Sequence, residues 1–184
     1  PIKTMLNAGI EDILVISGPE YIGRYIELLE EDFDDVNFSY RVQNQPKGIA
    51  HAVSIAEDYV DDKFAVMLGD NIILGELSDQ IKEFEENNSK AKIFLKEVDQ
   101  PARYGIAEVG EDGKVVDLEE KPDSPSSNKA VIGLYLYDKD VFSKIDQIEP
   151  SDRGEYEITD VNNLYVKEEE MESGIVENKW FDAG

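Results

Sequence analysis

At 184 residues, 41% of them hydrophobic, the chain carries enough apolar material for one sizeable core and is not a disordered segment. Its 42 acidic residues against 18 basic ones give a formal net charge of −24, which repels phosphate backbones and anionic membranes and excludes nucleic acid and lipid surfaces as expected partners. Cysteine is absent and His51 is the only histidine, so disulfides and thiolate metal sites are excluded and any metal should be held by oxygen.

Ile2, Met5 and Leu6 share a helical face before Gly9, and EDILVIS, from Glu11, reads as a strand running into the turn Ser17, Gly18, Pro19. From Glu20 to Glu31 the residues Ile22, Tyr25, Ile26 and Leu29 recur at helical spacing, and the segment VNFSYRVQ from Val36 is extended. A second amphipathic helix carries Ile49, Ala52, Val53 and Ala56. It leads to a hydrophobic run closed by Gly69 and Asp70, then to a helix with Leu77, Ile81 and Phe84. Alternating strand and helix is the grammar of a mainly parallel sheet in an α/β protein.

AKIFLKEV, from Ala91, is strand-like. IAEV is joined to KVVDLEE through a turn containing Asp112 and Gly113, the mark of a hairpin and so of an antiparallel insertion. PDSPSS, Pro122 to Ser127, is a loop, and AVIGLYLYD from Ala130 to Asp138 is a long strand. Two helices follow, one presenting Val141, Phe142, Ile145 and Ile148, the other running from about Glu155 with Ile158, Val161, Leu164 and Tyr165 on one side. A last strand near Ile175 leads to WFDAG. Neither repeats nor a low-complexity linker divides this pattern, so residues 1–184 are read as a single domain. No apolar stretch approaches the roughly 20 residues of a membrane span, and no signal peptide opens the chain, so a cytoplasmic location is expected.

The most informative string is AVMLGDN, Ala65 to Asn71. An acid closing a buried strand sits where α/β sheets bind ligands, and can hold a metal against a phosphate. Asp70 and Asn71 also precede a helical pattern, so capping is the competing reading. Asp182 likewise follows apolar residues at a strand end. The two carboxylates together suit one magnesium ion with positions left for phosphate oxygens.

QNQPKGIAHA, from Gln43, offers a base-reading amide, and Gly48 lets a planar ligand approach the backbone at a helix start; QPKG is also ordinary turn chemistry. LEEKP sets Glu120, suited to a sugar hydroxyl, beside Lys121, suited to a phosphate, although such neighbours also form plain surface pairs. Arg153 in DRGE is fit for paired hydrogen bonds to a phosphate, or is a solvated group before a helix. His51 falls on a helix near the ligand loop and is given no catalytic role.

Taken together, QNQPKGIAHA, VMLGDN, ARYGIAEV, DLEEKP, NKAVIGLYLYD, RGEYEITDVN and WFDAG resemble, in order and approximate spacing, the sugar-1-phosphate nucleotidyltransferases, and among them the glucose-1-phosphate thymidylyltransferases. The resemblance covers nearly the whole chain. It implies a three-layer Rossmann-like fold and transfer of a nucleotidyl group from dTTP or UTP to glucose-1-phosphate, yielding dTDP-glucose or UDP-glucose and pyrophosphate. Magnesium is the implied cofactor, held by Asp70 and Asp182. Gln43, Pro46 and Gly48 would border the nucleobase, with Gln43 favouring thymine or uracil. Lys121 and Arg153 would grip the sugar phosphate. Tyr104, Gly105, Glu120 and Val131 would surround the sugar, with Tyr135 and Trp180 completing that wall.

One departure stands out. The family's opening strand, its glycine-rich GxGTR-type loop and a following lysine have no counterpart here, and Pro1 matches a position inside the family's first helix. The expectation is therefore a fragment, incomplete at both ends and catalytically impaired, since that loop supplies backbone donors to the triphosphate. Assembly into homo-oligomers is left open for the complete protein. A non-catalytic relative that binds nucleotide sugar and regulates a partner is the alternative; the retained acids and bases speak for catalysis. A metal-dependent glycosyltransferase ranks last, because its acid pair should close a strand, whereas the DFD of Asp32 to Asp34 follows a helix.

Overall fold

The computed structural model describes residues 1–33 and 35–184; Asp34, part of the DFD run, lies outside the described residues. The longest apolar run of the sequence becomes β8 (Lys129–Tyr137), whose Ala130 and Ile132 through Tyr137 are buried, as expected of a strand covered on both faces. β8 pairs antiparallel with β3 (Phe64–Met67), with β5 (Ala91–Glu97) and, at Ala130, with β6 (Gly105–Val109). The hairpin read from Asp112 and Gly113 is present: β6 pairs antiparallel with β7 (Val115–Glu120), and Gly113 takes a positive φ of 82°. β9 (Met171–Ile175) closes the other side, parallel to β5, giving the order β7-β6-β8-β5-β9 with β3 also on β8. The sheet is mixed, and antiparallel pairing surrounds β8, which runs against each of its neighbours.

Strand alternation sends side chains to two cores. Ile93, Leu95, Tyr135 and Tyr137 face one core, packed under α3 (Ile49–Ser54), α5 (Asp140–Ile145) and α6 (Ile158–Lys167). Phe94, Ile132, Leu134 and Leu136 face the other, under α1 (Ile2–Asn7) and α4 (Ser78–Glu86). Helices on both faces of a sheet make the three-layer α/β architecture expected from the sequence. At about 25 cal/mol per Å² of apolar area, such fully enclosed Leu, Ile and Phe side chains are worth roughly 1.5–3 kcal/mol each.

β1 (Asp12–Ser17) pairs in parallel with β2 (Asn37–Val42) from Asp12 opposite Asn37 to Ser17 opposite Val42, and α2 (Ile22–Asp32) joins them. This pair and β5–β9 are the parallel pairings among the described residues.

One element departs from the sequence reading. The hydrophobic run ends as a strand at Met67, Asp70 lies in the following turn, and Asn71 opens a further strand, β4 (Asn71–Leu74), instead of capping a helix. β4 pairs antiparallel with β10 (Lys179–Asp182), formed from the WFDAG region. Both strands are four residues long and lie more than a hundred residues apart, so local periodicity reveals neither β4 nor its pairing with the strand that ends at Asp182.

Candidate active site

Every residue to which the family resemblance assigns a role lines one groove of about 1370 Å³, which also runs along β1 and β3. Three clusters of side chains can be followed along it.

The β4–β10 pair builds the acidic end. Its register sets Asn71 opposite Asp182, and the Ala183 amide donates to the Asp70 carbonyl at 2.9 Å. A Cβ placed on Gly184 would lie 2.7 Å from Asp70 Oδ2 and 3.4 Å from Asp182 Oδ1, so the two carboxylates border one small space. Asn71, only 4% exposed, is the hub of this end. Its Nδ2 donates to Asp70 Oδ1 at 2.8 Å, while its Oδ1 accepts from the Gly133 amide at 2.9 Å and from Trp180 Nε1 at 2.7 Å. Gly133 is required for this approach, since a Cβ there would come within 2.6 Å of Asn71 Nδ2. Among the described residues no group of three or more His, Cys, Asp or Glu side chains is arranged to hold a metal. Two oxygen donors beside open space nonetheless suit magnesium, which commonly takes one or two carboxylates and completes its shell with water and phosphate oxygens.

The second cluster gathers around Glu120, the last residue of β7. Gly105 pairs with Glu120 across the hairpin, and Thr159 Oγ1 donates to Glu120 Oε2 at 2.9 Å. Lys121 is held in the left-handed region at φ 45°, its amide bonded to the Tyr104 carbonyl at 3.1 Å, with Nζ 3.9 Å from Glu120 Oε1. The Tyr104 and Trp180 rings meet edge to face at 5.4 Å, which joins this cluster to the acidic end. Buried Tyr135 lines the same groove. Burial, reinforced by the Glu120 and Asp70 carboxylates, holds its phenol well above the ordinary tyrosine range.

Arg153 reaches the same cluster, 3.6 Å from Glu120 Oε1, from the loop before α6. It is not free. Glu157, four residues on and largely buried, accepts from Arg153 Nη2 at 2.8 and 2.9 Å and from Nε at 3.2 Å, and also accepts from Ser151 Oγ at 2.7 Å. The hydrogen bonds to Glu157 raise the guanidinium above its usual value, so it stays charged. Charge therefore alternates across a few ångströms: Glu157, Arg153, Glu120, Lys121.

The third cluster follows β2. The Gln43 amide N–H continues the β1–β2 pairing to the Ser17 carbonyl at 2.9 Å, and its side-chain Nε2 donates to the Gly48 carbonyl at 3.1 Å and contacts His51 Nδ1 at 2.9 Å. Gly48 has φ 93°, and a Cβ there would lie 2.5 Å from the Tyr156 carbonyl oxygen. Glycine is thus demanded here by the protein's own backbone. Tyr156 returns a bond from its amide to the Lys47 carbonyl at 2.8 Å, which fastens this loop beside Arg153.

Three participants escape the sequence reading: Asn71, Glu157 and Thr159. Glu157 stands at i+4 from Arg153, a spacing that signals a side-chain pair, whereas Thr159 acts on Glu120, and Asn71 on Gly133 and Trp180, across long stretches of sequence.

The nucleotidyl transferase family model matches residues 1–184. The chain belongs to the sugar-1-phosphate nucleotidyltransferase family. Within that family, a low-salt glycan biosynthesis nucleotidyltransferase of Haloferax volcanii is 41% identical over 186 residues, covering 100% of this chain and 52% of the relative. Glucose-1-phosphate thymidylyltransferase of Mycolicibacterium smegmatis is 41% identical over 189 residues, covering 100% of this chain and 65% of its own length. The chain thus spans between half and two thirds of these curated relatives. A Bacillus anthracis crystal structure, described as a candidate glucose-1-phosphate thymidylyltransferase in complex with sucrose, superposes with a TM-score of 0.91 at 40% identity over 99% of this chain and 74% of that one. A UDP-glucose pyrophosphorylase complexed with UDP-glucose, at 24% identity and a TM-score of 0.84, shares the fold. The fold is accordingly that of Rossmann-like nucleotidyltransferases.

Proposed function

We propose that the complete protein transfers a thymidylyl or uridylyl group from dTTP or UTP to glucose-1-phosphate, forming dTDP-glucose or UDP-glucose and releasing pyrophosphate, as one nucleotidyltransferase domain over residues 1–184. The observation that carries the proposal is the pairing of β4 with β10, which brings Asp70 and Asp182 to one space while Lys121 and Arg153 line the same groove.

In this reading the reaction is an in-line attack of a sugar-phosphate oxygen on the nucleotide's α-phosphorus, and catalysis consists of alignment and charge neutralisation with no covalent nucleophile on the protein. Lys121 and Arg153 bring the anionic sugar phosphate into a strongly acidic protein and screen it from the triphosphate. Glu120 accepts hydrogens from sugar hydroxyls. Gly105 leaves room beside Glu120, and Tyr104, Val131, Tyr135 and Trp180 wall the hexose. Gln43, Pro46 and Gly48 border the base. Magnesium, when held by Asp70 and Asp182, supplies positive charge to phosphate oxygens.

Among the described residues no helix is long and apolar enough to cross a membrane, and a cytoplasmic site of action belongs to the proposal. The decisive test is pyrophosphate release by the full-length protein on mixing dTTP, glucose-1-phosphate and magnesium. Release that is abolished in Asp70→Ala and Asp182→Ala supports the reading. Failure of the folded wild-type protein to release pyrophosphate with either dTTP or UTP rejects it in favour of a nucleotide-sugar-binding relative.

A further inference from the structure

We infer that His51 fixes which end of the Gln43 amide meets a nucleobase, and thereby selects bases that present a ring N–H. The inference deepens the proposed function and rests on its placement of the base beside Gln43.

Gln43 Nε2 lies 3.1 Å from the Gly48 carbonyl oxygen and 2.9 Å from His51 Nδ1. A carbonyl oxygen only accepts, so the amide nitrogen, not the amide oxygen, must face Gly48. The remaining N–H of the same group then points at His51 Nδ1, which accepts it, leaving the imidazole proton on Nε2. Both amide hydrogens are spent inside the protein. What Gln43 has left for a ligand in the groove is its carbonyl oxygen, an acceptor.

The arrangement is fixed before any ligand arrives. The His51 ring stacks on Tyr156 with centroids 6.4 Å apart and planes 26° off parallel. Tyr156 is itself held by its amide on the Lys47 carbonyl at 2.8 Å and by the Ala50 amide on its own carbonyl at 3.2 Å, and its backbone abuts Gly48. An acceptor oriented in this way matches the N3–H of uracil or thymine. Against cytosine, whose N3 is itself an acceptor, two lone pairs oppose one another. Without the acceptor on residue 51, only the Gly48 bond resists rotation of the amide, and a turned amide offers its N–H to cytosine.

His51 is therefore a positioning residue that works through Gln43, and base preference is the property that a purely structural role leaves unmoved. The experiment measures calorimetric affinities of the full-length protein for UTP and CTP, in wild type, His51→Phe, His51→Asn and Gln43→Ala, with circular dichroism to establish folding. His51→Phe keeps a ring against Tyr156 and removes the acceptor; the preference for UTP over CTP is expected to fall about tenfold, the scale of one directional hydrogen bond. His51→Asn, whose side-chain oxygen can take the place of Nδ1, is expected to keep most of the preference. An unchanged preference in His51→Phe, with Gln43→Ala losing it, overturns the inference and spares the base placement. An unchanged preference in Gln43→Ala overturns the base placement and the inference with it. Independently of any variant, nitrogen NMR of unliganded wild type should show neutral His51 protonated on Nε2; a proton on Nδ1 contradicts the proposed lock.

Discussion

Asn71 stands opposite Asp182 in the β4–β10 pair while its own amide grips the neighbouring Asp70 carboxylate at 2.8 Å and the Trp180 indole at 2.7 Å. A buried polar side chain that touches the acidic end and the Trp180 indole together makes their geometry interdependent. Removing it disturbs both.

Asn71→Ala is expected to cost about 2–3 kcal/mol of stability, because the buried Gly133 amide and the part-buried Trp180 indole N–H each lose their acceptor. Trp180 is the only tryptophan, so its fluorescence reports the change directly. A denaturant melt followed by that emission should show an earlier midpoint and a shifted native spectrum. An unaltered midpoint and spectrum would mean that Asn71 is a bystander.

Much of the frame is legible in the residues. β8 announces itself because a strand covered on both faces is apolar along nearly its whole length, β5 shows the apolar centre Ile93, Phe94 and Leu95, and the β6–β7 turn carries Gly113 at a positive φ beside Asp112. β4 is not legible, nor is its pairing with β10, although the strand end at Asp182 is. NIIL shows no alternation of apolar and polar residues, although the fold buries Asn71 and Ile73 and exposes Ile72 and Leu74. The candidate site divides in the same way. Asp70, Lys121 and Arg153 stand out as charges at element ends, but that Arg153 is engaged by Glu157, or that Thr159 holds Glu120, depends on how the loop before α6 folds over the β7 terminus.

Glu157 restrains Arg153 through three contacts, with Ser151 holding Glu157 from behind. If that restraint preorganises the guanidinium for phosphate, Glu157→Ala lowers affinity for glucose-1-phosphate about tenfold, since small misplacements of a positioning group are costly. Calorimetric titration with glucose-1-phosphate checks this. A gain in affinity would show instead that Glu157 competes with the phosphate for Arg153.

Tyr135, Tyr137 and Tyr165 are all held above the ordinary phenol range, each chiefly by burial. A folded-state value raised above the unfolded one contributes stability that is present below the unfolded value, near pH 10, and is lost as pH climbs beyond it. The protein should therefore weaken above about pH 10. Tyrosinate absorbance should show these three of the nine tyrosines ionising only as the chain unfolds. Smooth ionisation of all nine in a folded protein would contradict their burial.

In the proposed function, Asp70, Asp182, Lys121 and Arg153 form one site for a nucleotide sugar. Calorimetric titration of this protein with dTDP-glucose, with and without magnesium, tests it most directly in wild type, Asp182→Asn and Lys121→Ala. Saturable binding that strengthens with magnesium is expected, with a magnesium effect that disappears in Asp182→Asn and binding weakened at least tenfold in Lys121→Ala, which loses a charged contact to phosphate. Equal binding by all three proteins, with or without the metal, would contradict it.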